Sequence, residues 1–190
     1  LSTWDIRQYL ADVTSGNHSI WHMFKLLTRA GYAALLQRGV GYRLLLQFYN
    51  KFQQLRGGEP FPIMVGKIEP GQRTPTEILD LQPGELVEVK SAEEISATIT
   101  ADGFNRGMRY DPEMLKYSGH RYRVQQRVNK LIDEKSGKMV SMKSPCIQLD
   151  NVFCRAEFTP GRLGCPRASN TYWREIWLRR VADDSPARSK

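Results

Sequence analysis

Cysteine is scarce in this chain of 190 residues, and its three copies all lie within 20 residues, from Cys146 to Cys165. An odd number of cysteines cannot form a complete set of disulfides, which argues against a small disulfide-stabilised secreted domain. In a reducing compartment, clustered cysteines are more often metal ligands or redox groups. The clustering therefore predicts a metal or iron–sulfur site, and buried thiols without chemistry are the alternative.

Long apolar runs are also missing. No segment approaches the ~18 apolar residues that cross a bilayer. The first ten residues contain Asp5 and Arg7 instead of the apolar centre of a signal peptide. We therefore expect a cytoplasmic protein. Because 41% of the residues are hydrophobic, the chain has enough apolar side chains for an ordinary core without a covalent staple.

Recognisable catalytic motifs are absent as well. The sequence has no nucleophile elbow, no phosphate-binding P-loop and no dinucleotide fingerprint. Two adjacent acid pairs, Asp133-Glu134 and Asp183-Asp184, fall in a predicted turn and a predicted tail, where we expect solvated carboxylates instead of a catalytic pair. A binding protein is therefore a better expectation than an enzyme, although a metal site with an open position could be catalytic.

Acidic residues are few at both ends of the chain. Residues 1–58 hold seven Lys/Arg and two acids, residues 59–160 hold fourteen and fifteen, and residues 161–190 hold seven and three, which together give the net charge of +8. Basic segments attract phosphates, whether on nucleic acid or on an anionic membrane. A well-solvated surface is the equally weighted alternative.

Two amphipathic runs predict helices within an N-terminal segment at residues 1–58. The first run begins at Ile20, after the N-cap candidates Asn17 and Ser19, and the second covers residues 44–55 before Gly57-Gly58. We expect a helical hairpin that docks on a protein partner. The alternative is that these helices lie on an anionic membrane surface. Trp21 and Phe24 would then insert into the membrane, and Arg38, Arg43 and Lys51 would contact the headgroups.

Prolines punctuate residues 59–75 and predict a linker there. The following residues, 76–182, predict a β domain with strands at 85–90, 122–132, 138–142 and 146–153 and a last strand or short helix at 172–181. Ser91 and Glu94 have the spacing of a capping box for a short helix. These elements predict an α+β fold, in which a small SH3-like β-barrel follows the helical hairpin and has its loops tied by the metal. Residues 183–190 predict a disordered tail.

The candidate metal ligands are His120, Cys146, Cys154 and Cys165, with 25, 7 and 10 residues between them. Thiolate and imidazole ligands suit tetrahedral Zn²⁺ and also suit an iron–sulfur cluster. Nearby arginines could offset the negative charge of the thiolates and donate hydrogen bonds to them, and the candidates for this role are Arg155, Arg162 and Arg167.

Basic and aromatic residues alternate between Tyr172 and Arg180. Such a segment can contact nucleic-acid phosphates and stack bases, or form a protein-binding surface, and the candidate residues are Arg174, Trp177, Arg179 and Arg180. In the favoured alternative, Trp173 and Trp177 belong to the core and the arginines form a solvated edge.

The chain resembles a family of small uncharacterised bacterial proteins that are encoded beside polysaccharide and natural-product biosynthesis genes. Four segments carry this resemblance, at residues 81–87, 109–115, 165–168 and 173–178. The resemblance implies a fourth cysteine in a Tyr-Cys-Gly context, and therefore a tetrathiolate site. This chain departs from that pattern with Ser118, followed by Gly119 and His120. We expect His120 to be the fourth metal ligand in place of the missing cysteine. The alternative is that this chain has lost the metal site.

The functional expectation is a zinc-stabilised, non-catalytic accessory or binding module that docks on a partner protein, such as a biosynthetic enzyme. An iron–sulfur protein for electron transfer or redox sensing is one alternative. A nucleic-acid-binding protein is the other, for which binding would weaken steeply with salt.

Overall fold

The computed structural model describes residues 6–37, 42–58, 60–69, 71–133, 136–155 and 170–182. These residues fall into two compact units. The helical unit contains the described residues up to 63 together with 111–113 and 154–155, and the β unit contains 64–110, 114–153 and 170–182. The predicted tail at 183–190 lies outside the described residues.

In its described residues, the helical unit has three helices, namely α1 (Ile6–Thr14), α2 (Ile20–Gln37) and α3 (Tyr42–Leu55). The sequence predicted the second and third. Ser19 caps α2 as predicted, because its hydroxyl accepts a hydrogen bond from the His22 backbone N–H at 3.1 Å. At the end of α3, Gly57 has a φ of +66°. The Gly57 and Gly58 amides bond to the carbonyls of Gln54 and Gln53, which is a Schellman cap.

None of the helices in the described part of the chain combines the length and the apolarity that crossing a bilayer requires.

The β unit is built on an antiparallel four-stranded sheet with the strand order β5-β4-β1-β6. Its strands are β1 (Leu86–Val89), β4 (Arg121–Ile132), β5 (Met139–Leu149) and β6 (Leu178–Arg180). The β unit also contains a two-stranded ribbon of β2 (Phe104–Asn105) and β3 (Met108–Arg109). The fold is therefore α+β, as predicted.

Short helices complete the described elements. The helix α4 (Ala92–Ser96) begins at the predicted capping box, since Ser91 and Glu94 exchange both hydrogen bonds. Two 3₁₀ helices span Pro112–Tyr117 and Glu175–Trp177.

The sheet curls because one short segment connects its two edges. The Trp173 N–H and C=O both bond to Ile147 at 2.8 Å, on the edge of β5 that faces away from β4. A few residues later, β6 pairs with β1 at the opposite edge. Residues 174–177 therefore cross from one edge to the other, which bends the sheet into a half-barrel.

Aromatic side chains on this crossing segment fill the core of the β unit. The Tyr110 ring packs edge-on against Trp177 and Trp173, with centroids 5.1 and 6.2 Å apart. Both tryptophans are completely buried, and they pack among aliphatic side chains that include Val87, Val89, Ile95, Ile99, Ile147 and Leu149. The core therefore holds the crossing segment in one orientation.

The segment at residues 64–69 belongs to the β unit and is not an independent linker. The Lys67 amide bonds to the Ser96 carbonyl at 2.8 Å, and Ile68 pairs in parallel with Thr100. The β unit therefore begins at residue 64, before the boundary at 75 that the prolines predicted.

A Gly66→Ala substitution tests this attachment. A Cβ atom at residue 66 would lie 2.1 Å from the Thr100 carbonyl oxygen and 2.2 Å from that of Ile99. Backbone atoms cannot move aside as a flexible side chain can, so we expect the β unit to lose about 1–3 kcal/mol of unfolding free energy. Urea denaturation measures this loss. The control is Gly31→Ala in α2, where nothing lies within 4 Å and alanine favours the helix. Equal stability of the wild type and the Gly66→Ala protein would contradict the attachment.

Candidate anion-binding site

Cys146, the first predicted metal ligand, is completely buried in β5. Because Ile147 belongs to the core, Cys146 lies on the opposite face of the sheet. Its Sγ donates to Met142 Sδ at 3.3 Å. Burial raises the pKa of the thiol to about 11, although the Arg174 charge opposes this rise. The surroundings therefore favour the neutral thiol over the thiolate that binds a metal.

His120, the predicted fourth ligand, is exposed at the start of β4. Its Nδ1 lies 3.0 Å from the Ser118 carbonyl oxygen. The Ser118 hydroxyl is buried without a hydrogen-bond partner in the described part of the chain. It lies beside the Tyr110 hydroxyl, where it opposes the rise that burial causes in the Tyr110 pKa. Ser118 is therefore directed towards the aromatic core.

Cys154 belongs to the helical unit, whereas Cys146 and His120 belong to the β unit. The Arg155 backbone N–H donates to a Glu113 carboxylate oxygen at 3.1 Å. Three more residues of the predicted site lie outside the described ranges, namely Cys165, Arg162 and Arg167. Among the described residues, no three potential ligands form a metal-binding group, so the metal site stays a prediction.

The predicted basic surface contains two arginines that are paired with acids. The Arg179 guanidinium lies 3.2 Å from Glu88 and 2.5 Å from Glu94. Arg180 lies 2.7 Å from Glu85, and this hydrogen bond lowers the Glu85 pKa. Both arginine charges are therefore largely balanced.

Trp177 requires a correction, because the predicted surface included it. Its side chain is fully buried, and its indole N–H donates to the Thr98 hydroxyl at 3.0 Å. The reason is the packing of Tyr110 against its ring. Trp177 is therefore a core residue and presents no ring face for stacking.

Arg174, the fourth member of that predicted surface, is only 7% exposed. Its guanidinium donates to the carbonyls of Ser144 and Pro145 and, at 2.9 Å, to that of Arg106. The Nε–H is buried and has no hydrogen-bond partner among the described residues. No described carboxylate pairs with Arg174. Burial lowers the Arg174 pKa, but an arginine stays charged at any ordinary pH. Among its described residues, the β unit thus contains a buried positive charge that no carboxylate pairs with.

Arg174 lines a cleft of about 230 Å³ in the β unit. Two carboxylates also line this cleft, and both are engaged, Glu77 with Lys90 at 2.9 Å and Glu175 with Arg127 at 2.6 Å. Five basic residues line it, namely Arg73, Arg106, Arg127, Lys143 and Arg174. Five positive and two negative charges give the lining a formal charge of +3.

The turn between β2 and β3 positions one of these arginines. Arg106 and Gly107 both have positive φ, +47° and +78°, as in a type I′ turn. A non-glycine residue in this conformation costs about 1–3 kcal/mol. The Arg106 amide and Nε both donate to Thr74 at 3.0 Å, and its carbonyl accepts from Arg174. The strained residue is therefore held in place at the cleft.

Sequence reasoning missed Arg73, Arg106, Arg127 and Lys143, because they are far apart in the chain and no motif joins them. One signal was available for Arg174, which immediately follows a tryptophan that the favoured alternative placed in the core. A charged residue beside a core position in a tightly packed segment is a candidate for a buried charge.

No protein-family model matches this chain, and no curated protein matches it significantly. The geometry of the cleft is therefore the basis of the functional proposal.

Proposed function

We propose that the chain is a binding module whose β unit holds an anionic group of a small molecule, such as a phosphate or a sulfate, in the Arg174 cleft. The observation that carries this proposal is the buried Arg174 guanidinium, whose only described partners are neutral carbonyls. Burying an unpaired charge is strongly unfavourable in free energy. A bound anion would offset much of this unfavourable free energy.

The donors in the cleft suit an oxyanion. Arginine presents several N–H groups in a rigid fork that matches the oxygens of phosphate or carboxylate. The Nε–H groups of Arg174 and Arg127 are both buried without partners among the described residues. Each could donate to a ligand oxygen after a small movement of the side chains that cover it, and no hydrogen bond of this N–H within the described structure would be broken.

The size of the cleft restricts the ligand. Its volume of about 230 Å³ is below the ~300–1,000 Å³ of sites that enclose a drug-sized molecule. The cleft therefore suits one anionic group, with the rest of the ligand outside it. Binding of nucleic acid is the weaker candidate, because Arg179 and Arg180 are already paired with glutamates.

The other expectations from the sequence are compatible with this proposal. A zinc or iron–sulfur site that stabilises an SH3-like barrel would not compete with the anion, because no cysteine lines the cleft in the described structure. The module could also dock on a biosynthetic enzyme, as the family resemblance implies. Metal analysis of protein purified without added metal tests that part.

Titration with inorganic phosphate, sulfate, a sugar phosphate and a single-stranded oligonucleotide tests the proposal. At constant ionic strength, we expect saturable binding of one small anion per chain. An Arg106→Asn variant should bind about tenfold more weakly, since it loses one charge-assisted contact, while asparagine still suits the turn. Calorimetry measures both.

The matched control is Arg121→Asn, because Arg121 is exposed and its neighbour is Glu88, at 3.7 Å, outside the cleft. This variant should bind like the wild type. Equal affinities of all three proteins would contradict the site. Tight binding of the oligonucleotide alone would favour the nucleic-acid alternative.

A further inference from the structure

The helical unit contains a long stretch without acidic residues. From residue 13 to residue 58 the chain has no aspartate or glutamate, but it has six lysines and arginines. This stretch covers the whole of α2 and α3. The charged side chains of α2 and α3 are therefore all basic.

Each of the two helices also exposes a row of large apolar side chains. On α2 these residues are Ile20, Trp21, Phe24 and Leu27, and on α3 they are Leu44, Phe48, Phe52 and Leu55, each at least 46% exposed. The three- and four-residue spacings place each row along one face of its helix. Together they are far more exposed apolar surface than scattered hydrophobic residues explain.

Basic side chains lie directly beside these rows. The Lys25 ammonium lies 5.8 Å from the centre of the Trp21 ring, and the Arg56 guanidinium lies 4.7 Å from the centre of the Phe52 ring. Lys51 is exposed on α3 as well. Long basic side chains beside aromatic ones, with an apolar face below, are typical of helices that lie in a membrane interface.

We infer that α2 and α3 bind an anionic lipid surface, with their exposed apolar side chains inserted among the acyl chains and their basic side chains at the headgroups. The charge distribution favours lipid over a second copy of this chain, because two copies of an acid-free segment would repel one another. Each lysine or arginine near an anionic membrane adds to this attraction. This surface is independent of the Arg174 cleft, which lies in the β unit.

Vesicle sedimentation of the full chain tests the inference. We expect the protein to sediment with vesicles that contain phosphatidylglycerol, to stay in solution with pure phosphatidylcholine, and to be released as salt increases. A Phe48→Ser variant should partition about tenfold more weakly, as expected for the loss of one inserted aromatic side chain. Because Phe48 is 75% exposed, this substitution should not impair folding, and circular dichroism checks this.

The control is Ile132→Ser, a substitution of a residue that is 61% exposed in the β unit and should not change partitioning. No sedimentation with the anionic vesicles, or equal sedimentation of the Phe48→Ser and wild-type proteins, would overturn the inference. Analytical ultracentrifugation gives a further test. If the wild-type protein is a dimer and the Phe48→Ser variant is a monomer, the inference is also overturned, because the apolar faces would then bind a second copy of the chain. Loss of phosphate binding in an Arg174 variant would leave the vesicle result unchanged.

Discussion

Replacing Glu175 with glutamine should destabilise the β unit by about 2–4 kcal/mol and, at the same time, tighten the binding of an anion. The Glu175 side chain is 5% exposed and lies 2.6 Å from Arg127. Its two oxygens also accept the amides of Leu79 and Leu81, at 3.1 and 3.0 Å. Removing the Glu175 charge leaves Arg127 with a longer contact to the exposed Asp80, at 3.3 Å, and breaking a buried ion pair is strongly destabilising. The partial exposure of Arg127 keeps the expected loss below the upper end of that range.

The effect on binding has the opposite sign because Glu175 also lines the cleft. Losing one negative charge changes the formal charge of the lining from +3 to +4 and removes the closer of the two carboxylates that pair with Arg127. Urea unfolding of the β unit and phosphate titration measure the two effects separately. Ordinary destabilisation of a site would weaken binding, so a variant that is both less stable and a weaker binder would contradict the account.

Glu88→Gln is the matched control in the same unit. Glu88 also pairs with an arginine, Arg179 at 3.2 Å, but that arginine is 51% exposed. Exposed ion pairs contribute about 0–1 kcal/mol. This variant should therefore change the free energy of unfolding by less than about 1 kcal/mol and leave phosphate binding unaltered.

Replacing Arg174 with methionine should reduce anion affinity by about a hundredfold or more. The substitution removes the deepest charge of the cleft and its unpartnered Nε–H, and hydrogen bonds to charged groups contribute about 1.5–3 kcal/mol each. Methionine fills similar space without a charge. The unfolding free energy should therefore change by less than about 2 kcal/mol, because the carbonyl hydrogen bonds are lost but an unpaired buried charge is lost too.

An Arg174→Lys variant separates charge from geometry. Lysine restores the charge but lacks the planar fork of N–H groups, so its affinity should lie between those of the wild type and the methionine variant. Calorimetric titration measures all three proteins. Wild-type affinity in Arg174→Met would exclude Arg174 as an anion ligand.

Local patterns predicted the local elements well. The Ser91–Glu94 capping box, the Ser19 cap of α2 and the α+β composition are all confirmed, because each depends on residues that are close together in the chain. The two strands predicted at 138–142 and 146–153 are instead parts of one strand, β5. Its pairing with β4 is irregular just before Cys146, and this irregularity accommodates Pro145, which has no N–H to donate.

The cleft was beyond prediction because its residues meet only after the sheet curls. Arg73, Arg127 and Arg174 come from distant parts of the chain, and the crossing of residues 174–177 between the sheet edges brings them together. The alternating segment at 172–180 was ambiguous by itself. Packing of Tyr110 between Trp173 and Trp177 decides that the tryptophans face the core, and this contact depends on the tertiary fold.

The most direct test of the Arg174 cleft is an NMR titration of the arginine Nε–H resonances with inorganic phosphate at constant ionic strength. We predict that the Nε–H signals of Arg174 and Arg127 shift and saturate together with one dissociation constant, whereas the signal of the exposed Arg179 stays nearly constant. Uniform, unsaturated shifts of the exposed arginines, with Arg174 unchanged, would contradict the account.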